Sequence, residues 1–147
     1  MKVFPKDLRI GNYLRTGVLP FRVAQVTTPT VAGDLYDGFI LENGVEDVGD
    51  PIELTEKILD AFGFSHKHIG EPEKRQYWML FHNGGSIKAK KNRGRFFFEV
   101  TGIPRQDGWF APQFSGHLFF VHELQNVMVD CGIDKEIELK PNDLRNE

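Results

Sequence analysis

The sequence predicts an α+β fold, mostly antiparallel β, with two short helices. Three observations predict it. Short apolar-alternating runs recur along the chain, several of them separated by Asn-Gly or Gly/Pro-rich turns. Only two segments, about 55–62 and 122–131, repeat apolar residues at helical spacing. Phenylalanine supplies 13 of the 147 residues, an excess that suits pleated sheets and aromatic recognition surfaces.

A single domain over 1–147 is the simplest organisation for this length. The polar run 65–75, with Gly70 and Pro72, reads as a loop joining two lobes, 1–64 and 76–139.

The first strand is expected over 8–14, with Leu8, Ile10 and Asn12 on one side and Gly11-Asn12 as a bulge. A second is expected over 21–28, where Phe21, Val23 and Gln25 share a face and Pro29 ends the run. The third, 36–42, leads into the Asn43-Gly44 turn. Together these predict a small barrel-like N-terminal unit, closed by the first helix.

That helix has clear punctuation. Thr55 is an N-cap residue, Glu56 suits the positive end of the dipole, and Leu54 can staple onto Leu59. Ile58, Leu59 and Phe62 form its apolar face, and Gly63 stands where a left-handed cap is needed.

Four strands should follow, at 76–82, 86–91, 94–101 and 114–121. Asn83-Gly84-Gly85 and Asn92-Arg93-Gly94 connect them as hairpins, which predicts an antiparallel meander. The second helix, 122–131, turns Leu124, Val127, Met128 and Cys131 toward the sheet and stops at Gly132. A last strand is expected at 136–139, then a frayed polar tail.

Lysine and arginine number 18 against 21 acidic residues, a net charge of −3. The whole chain is therefore no electrostatic nucleic-acid binder, although a local basic patch can be. The lone Cys131 has no partner for an intramolecular disulfide and suits a reducing compartment. The N-terminus lacks a signal-peptide pattern, and no run approaches ~20 apolar residues. A cytoplasmic protein without membrane association is expected.

Three groups of residues are candidate binding sites. Lys88, Lys90, Lys91, Arg93 and Arg95 make a basic hairpin just before Phe96, Phe97 and Phe98. Cations beside aromatics hold phosphates and stack bases. The alternative is a half-buried strand with a solvated lysine face, whose lysines guard a sheet edge against aggregation. Phe97 should point away from Phe96 and Phe98, which leaves at least one ring in the core.

The loop 102–112 carries Arg105, Trp109 and Phe110, residue types that dominate binding hot spots. Its rings equally suit a lid over a sheet end. His122, Gln125 and Asn126 fall on one helical stripe, where they either meet a ligand or tie the helix to buried backbone groups.

The histidines, His66, His68, His82, His117 and His122, lack metal-site spacing, so no metal is expected. The sequence has no phosphate loop, no G-x-S-x-G elbow and no H-E-x-x-H. The acidic residues Asp34, Asp37, Glu42, Glu46, Asp47 and Asp50 read as a solvated loop. No catalytic residue and no cofactor is expected.

Three further patterns run in order along the chain: LRIGNYL (8–14), PIELTEKILDAFGF (51–64) and FVHELQN (120–126). Together they resemble a family of small proteins of Bacteroidetes and of the phages and mobile elements that infect them. No activity is established for that family, so the resemblance implies no catalytic residue. The resemblance, the absence of catalytic motifs and the Arg/aromatic loop together lead to the expectation of a phage-type, non-enzymatic binding protein in a bacterial or phage-infected cell.

The expected ligand is a host protein or a small anion such as a nucleotide, held by Arg105, Trp109, His122 and Asn126, with Lys90 and Arg93 as anion-facing reserves. A nucleic-acid-binding module built on the 88–98 hairpin is the alternative, and a metal-dependent hydrolase or nuclease the third. A homo-oligomer is compatible with each.

Overall fold

A computed structural model describes residues 3, 5–27, 38–68, 75–80, 85–101, 113–133 and 137–145. The chain forms two compact units. One comprises Met1–Glu53, Phe120–His122 and Leu139–Glu147; the other comprises Leu54–Phe119 and Glu123–Glu138.

The first unit holds a four-stranded antiparallel sheet. Its strands are β1 (Tyr13–Thr16), β2 (Leu19–Thr27), β3 (Gly38–Leu41) and β4 (Asp50–Pro51), in the order β3-β2-β1-β4. The sheet is open and does not close into a barrel. Val3, Leu8, Leu14, Val23, Phe39 and Leu41 form its core.

The first strand begins later than its sequence pattern predicts. Asn12 offers a local alternative to the ladder. Its Oδ1 accepts from the backbone N–H of Arg9 (2.7 Å), and its own N–H donates to the Arg9 carbonyl (3.1 Å). Residues 8–12 therefore turn, and Ile10, expected on the same side as Leu8, is 73% exposed while Leu8 is buried. Asn12 itself is buried, so the amide stabilises this turn from inside.

Two more polar side chains hold backbone in this unit. Asp47 accepts from the N–H of buried Phe39 (2.8 Å) and donates its own N–H to the Phe39 carbonyl (2.9 Å). The Tyr13 hydroxyl accepts from the N–H of Leu139 (3.1 Å). The expected strand at 136–139 is absent among the described residues Ile137–Lys140, because Leu139 gives its donor to a side chain rather than to a sheet edge. Instead of fraying from its start, the chain forms a 3-10 turn, Pro141–Leu144, whose Asp143 carboxylate accepts from the N–H of Lys140 (2.8 Å).

The second unit is a meander of five antiparallel strands in sequence order. They are β5 (Ser65–His68), β6 (Arg75–Leu80), β7 (Ser86–Asn92), β8 (Arg95–Thr101) and β9 (Phe114–Leu118). Residues 65–68 were expected in a loop. They pair with β6 instead, and His66 meets its register partner Tyr77 at 5.5 Å between rings. Residues 69–74 and 81–84 lie outside the described residues, and with them His82 and most of the Asn83-Gly84-Gly85 turn.

Helix α1 (Glu56–Ala61) starts at Thr55, whose Oγ1 accepts from the Ile58 N–H (3.2 Å). It ends in a Schellman cap: Phe64 N–H donates to the Leu59 carbonyl and Gly63 N–H to that of Asp60, each at 3.0 Å. Helix α2 (Val121–Asp130) ends the same way at Gly132, with Ile133 N–H on the Met128 carbonyl (2.8 Å). Both caps need a positive φ, 93° at Gly63 and 77° at Gly132, which glycine adopts without strain.

Helix α1 was expected to close the N-terminal unit. Its polar side chains reach to the five-stranded sheet: Asp60 contacts His66 of β5 (3.1 Å), and Glu56 pairs with Lys91 of β7 (3.5 Å). Among the described residues no helix is long and apolar enough to cross a membrane.

Candidate functional site

The five-stranded sheet has two unlike faces, and the strand alternation sorts its residues between them. Tyr77, Met79, Ile87, Ala89, Phe96, Phe98, Val100 and Leu118 are buried on one face. The rings of Tyr77 and Phe96 meet edge-on at 6.0 Å. Burial of each large side chain here contributes about 1.5–3 kcal/mol, so this face is committed to the core.

The other face is open. Register places Gln76, Lys90, Phe97 and His117 in one row across β6 to β9. Trp78, Lys88, Glu99 and Ser115 form the next. Lys88, Lys90, Glu99 and His117 are exposed; Trp78 and Phe97 are half-buried. A groove of about 330 Å³ runs along the first three of these strands, lined by Gln76, Trp78, Lys88, Lys90 and Glu99.

Aromatics extend this face toward β9. Phe97 meets His117 edge-on at 5.2 Å, and His117 stacks with Phe119 at 6.4 Å. The Arg95 guanidinium lies 5.8 Å from the centre of the Phe119 ring, within cation–π range. Phe119 stays 44% exposed and carries this aromatic row to the end of β9.

The basic hairpin therefore divides. Lys88 and Lys90 stand on the open face and form no ion pair with any described residue. They also sit on the middle strand of the five, so guarding a sheet edge does not explain them. Lys91 points to the covered face, where its Nζ pairs with Glu56 and lies 5.8 Å from the centre of the Phe96 ring. As predicted, Phe97 faces away from Phe96 and Phe98.

Arg93 occupies the hairpin tip, in the two-residue turn between register partners Asn92 and Arg95. Its φ of 52° is left-handed, a conformation that costs a non-glycine residue about 1–2 kcal/mol. Asparagine or glycine is the usual choice for such a turn. Local strain of this kind recurs at functional sites.

The other predicted residues fall elsewhere. Arg105, Trp109 and Phe110 lie outside the described residues. His122 is buried and stacks on Phe120, rings 5.8 Å apart and 6° from parallel. It belongs to the first unit, whereas Gln125 and Asn126, half-buried on the same helix, belong to the second.

Among the described residues no three His, Cys, Asp or Glu side chains converge as a metal site would require. Cys131 is buried and forms no disulfide. Burial, and secondarily the charge of Asp130, push its thiol pKa up, which keeps it protonated and unreactive.

Sequence reasoning missed Gln76, Trp78, Glu99, His117 and Phe119 as site residues. Alternation within their own strands put each on a face, but only cross-strand register shows that it is the same face. Comparison of the chain with family models, with curated proteins and with solved structures found no match.

Proposed function

We propose that this chain is a non-enzymatic binding module for single-stranded nucleic acid, with the open face of the five-stranded sheet as its platform. The observation that carries the proposal is the pairing of Lys88 and Lys90, engaged in no ion pair with a described residue, with Trp78, Phe97, His117 and Phe119 on one face. Unpaired bases stack on such rings while the lysines and arginines neutralise the phosphates between them. A duplex hides its base faces and draws nothing from the rings. A sheet five strands wide is also too broad for the major groove, which admits a two-stranded ribbon.

The phage or mobile-element setting rests on the sequence resemblance. The chain's net charge of −3 limits the attraction to this one face.

Salt is the lever that tests the platform. A labelled single strand of about 12 nucleotides should bind with an affinity that falls as salt rises, by about 0.7 log units per log unit of salt for each phosphate neutralised. Lys88→Ala together with Lys90→Ala should flatten that slope by about 1.4. No binding at low salt, or an unchanged slope in the double variant, sinks the proposal.

A second reading draws support from the groove. Its volume of about 330 Å³ suits one small anionic ligand such as a nucleotide. In that case a mononucleotide should compete as well as the long strand does. A host protein as partner rested on the loop 102–112, which lies outside the described residues.

A further inference from the structure

Glu99 is the anomaly of the open face. Among the described strand residues of that face it is the one carboxylate, amid Lys88, Lys90 and Arg95. It lies directly across from Lys88 in the β7–β8 register, yet no ion pair joins it to any described residue. Its exposed position rules out a core role. On a platform for phosphates a carboxylate repels the ligand, so it weakens binding unless it accepts hydrogen bonds from the bases. It also lines the groove, opposite Trp78 across Lys88.

We infer that Glu99 reads a guanine. The inference rests on the platform proposed above and names what one subsite of it selects. An ionised carboxylate accepts through two oxygens side by side and donates nothing. Among the four bases only guanine presents two adjacent donors on its pairing edge, the ring N1–H and the exocyclic amine. Adenine, cytosine and uracil (or thymine) set a donor beside an acceptor, which leaves one carboxylate oxygen facing a lone pair.

The neighbours suit the same base. With the ring stacked on Trp78 and the two donors on Glu99, the guanine O6 is left needing a donor. Lys88, beside Glu99 in the same row, supplies an ammonium. Gln76 adds an amide at the groove wall. Direct recognition of this two-point kind discriminates a right base from a wrong one by about 5- to 150-fold.

The test compares two labelled strands of about 12 nucleotides, one all thymine and one with two thymines replaced by guanine, by fluorescence anisotropy at fixed salt. Two guanines in a thymine strand avoid four-stranded structures. The wild-type protein should bind the guanine-bearing strand at least 5-fold more tightly. Glu99→Ala removes both acceptors and the charge, whereas a glutamine would still offer its amide oxygen to N1–H and its amide NH2 to O6. The alanine variant should erase that preference and bind the all-thymine strand more tightly than the wild type, because the repelling charge is gone, with an unchanged melting temperature.

Equal affinity of the wild type for both strands overturns the inference and leaves the platform standing. A preference that survives Glu99→Ala also overturns it, since another residue then reads the base. Absence of binding to either strand at low salt removes the platform, and the inference with it.

Discussion

Two residues of this chain share a strained backbone and differ in everything that offsets it. Asp47 and Arg93 have φ values of 56° and 52°, and they are the described non-glycine residues with positive φ. Asp47, in the four-stranded region, answers its strain locally: carboxylate and backbone N–H both bond to Phe39. Arg93, in the five-stranded region, makes no hydrogen bond or ion pair with any described residue. The same contrast holds for the wider regions. Asn12, Tyr13 and Asp47 place polar atoms on buried or folded-back backbone, whereas Lys88, Lys90, Arg93 and Glu99 hold charges out to solvent. The polar groups named in the first region explain the fold; the four charged side chains named in the second take no part in holding the described residues together and leave a purpose outside the fold to be found.

The sharpest way to break this comparison is to remove Asp47. Asp47→Ala should cost about 2–3 kcal/mol of unfolding free energy, because the buried Phe39 N–H loses its acceptor and alanine tolerates the left-handed region poorly. Asp47→Asn keeps the oxygen and should cost far less. Urea unfolding reads both, and a near-neutral alanine variant would place Asp47 beside Arg93 as strain without a local answer.

Tyr13→Phe should be milder, at about 1–2 kcal/mol, since one N–H, that of Leu139, loses its partner. Hydrogen exchange should then quicken over 139–144, and an unchanged rate there would mean that the hydroxyl does not hold the segment.

Arg93→Gly should have the smallest effect on stability and the opposite sign. Relief of the left-handed strain, less the extra backbone entropy of glycine, should stabilise the protein by about 0.5–1 kcal/mol. Binding should weaken, with a salt slope lower by about 0.7. A glycine variant that is more stable and binds equally well would remove Arg93 from the site.

Much of the fold was legible because its signals are local. Thr55, Gly63 and Gly132 mark helix ends through bonds to residues within five positions, and Gly94, at a φ of 77°, marks the β7–β8 hairpin turn although Arg93 beside it works against that turn. β5 was not legible. Its four residues, SHKH, are polar, and they form a strand through pairing with β6 and contacts to Asp60 and Tyr77, not through propensity. The opening strand was misread for the complementary reason: apolar alternation through Leu8 and Ile10 lost to the local bond between Asn12 and Arg9.

The candidate site divides along the same line. Alternation alone places Lys88 and Lys90 opposite to Ile87 and Ala89, and Phe97 opposite to Phe96 and Phe98, because successive strand side chains must point to opposite faces. That much the amino-acid sequence determined by itself, together with the α+β class and the two helices. Only the tertiary structure decided that β7 lies in the middle of its sheet, that Lys91 pairs with Glu56 on the covered face, and that Trp78, Glu99 and His117 share the open one. Those neighbours come from separate strands, and their meeting is set by register and strand order, which no local pattern encodes.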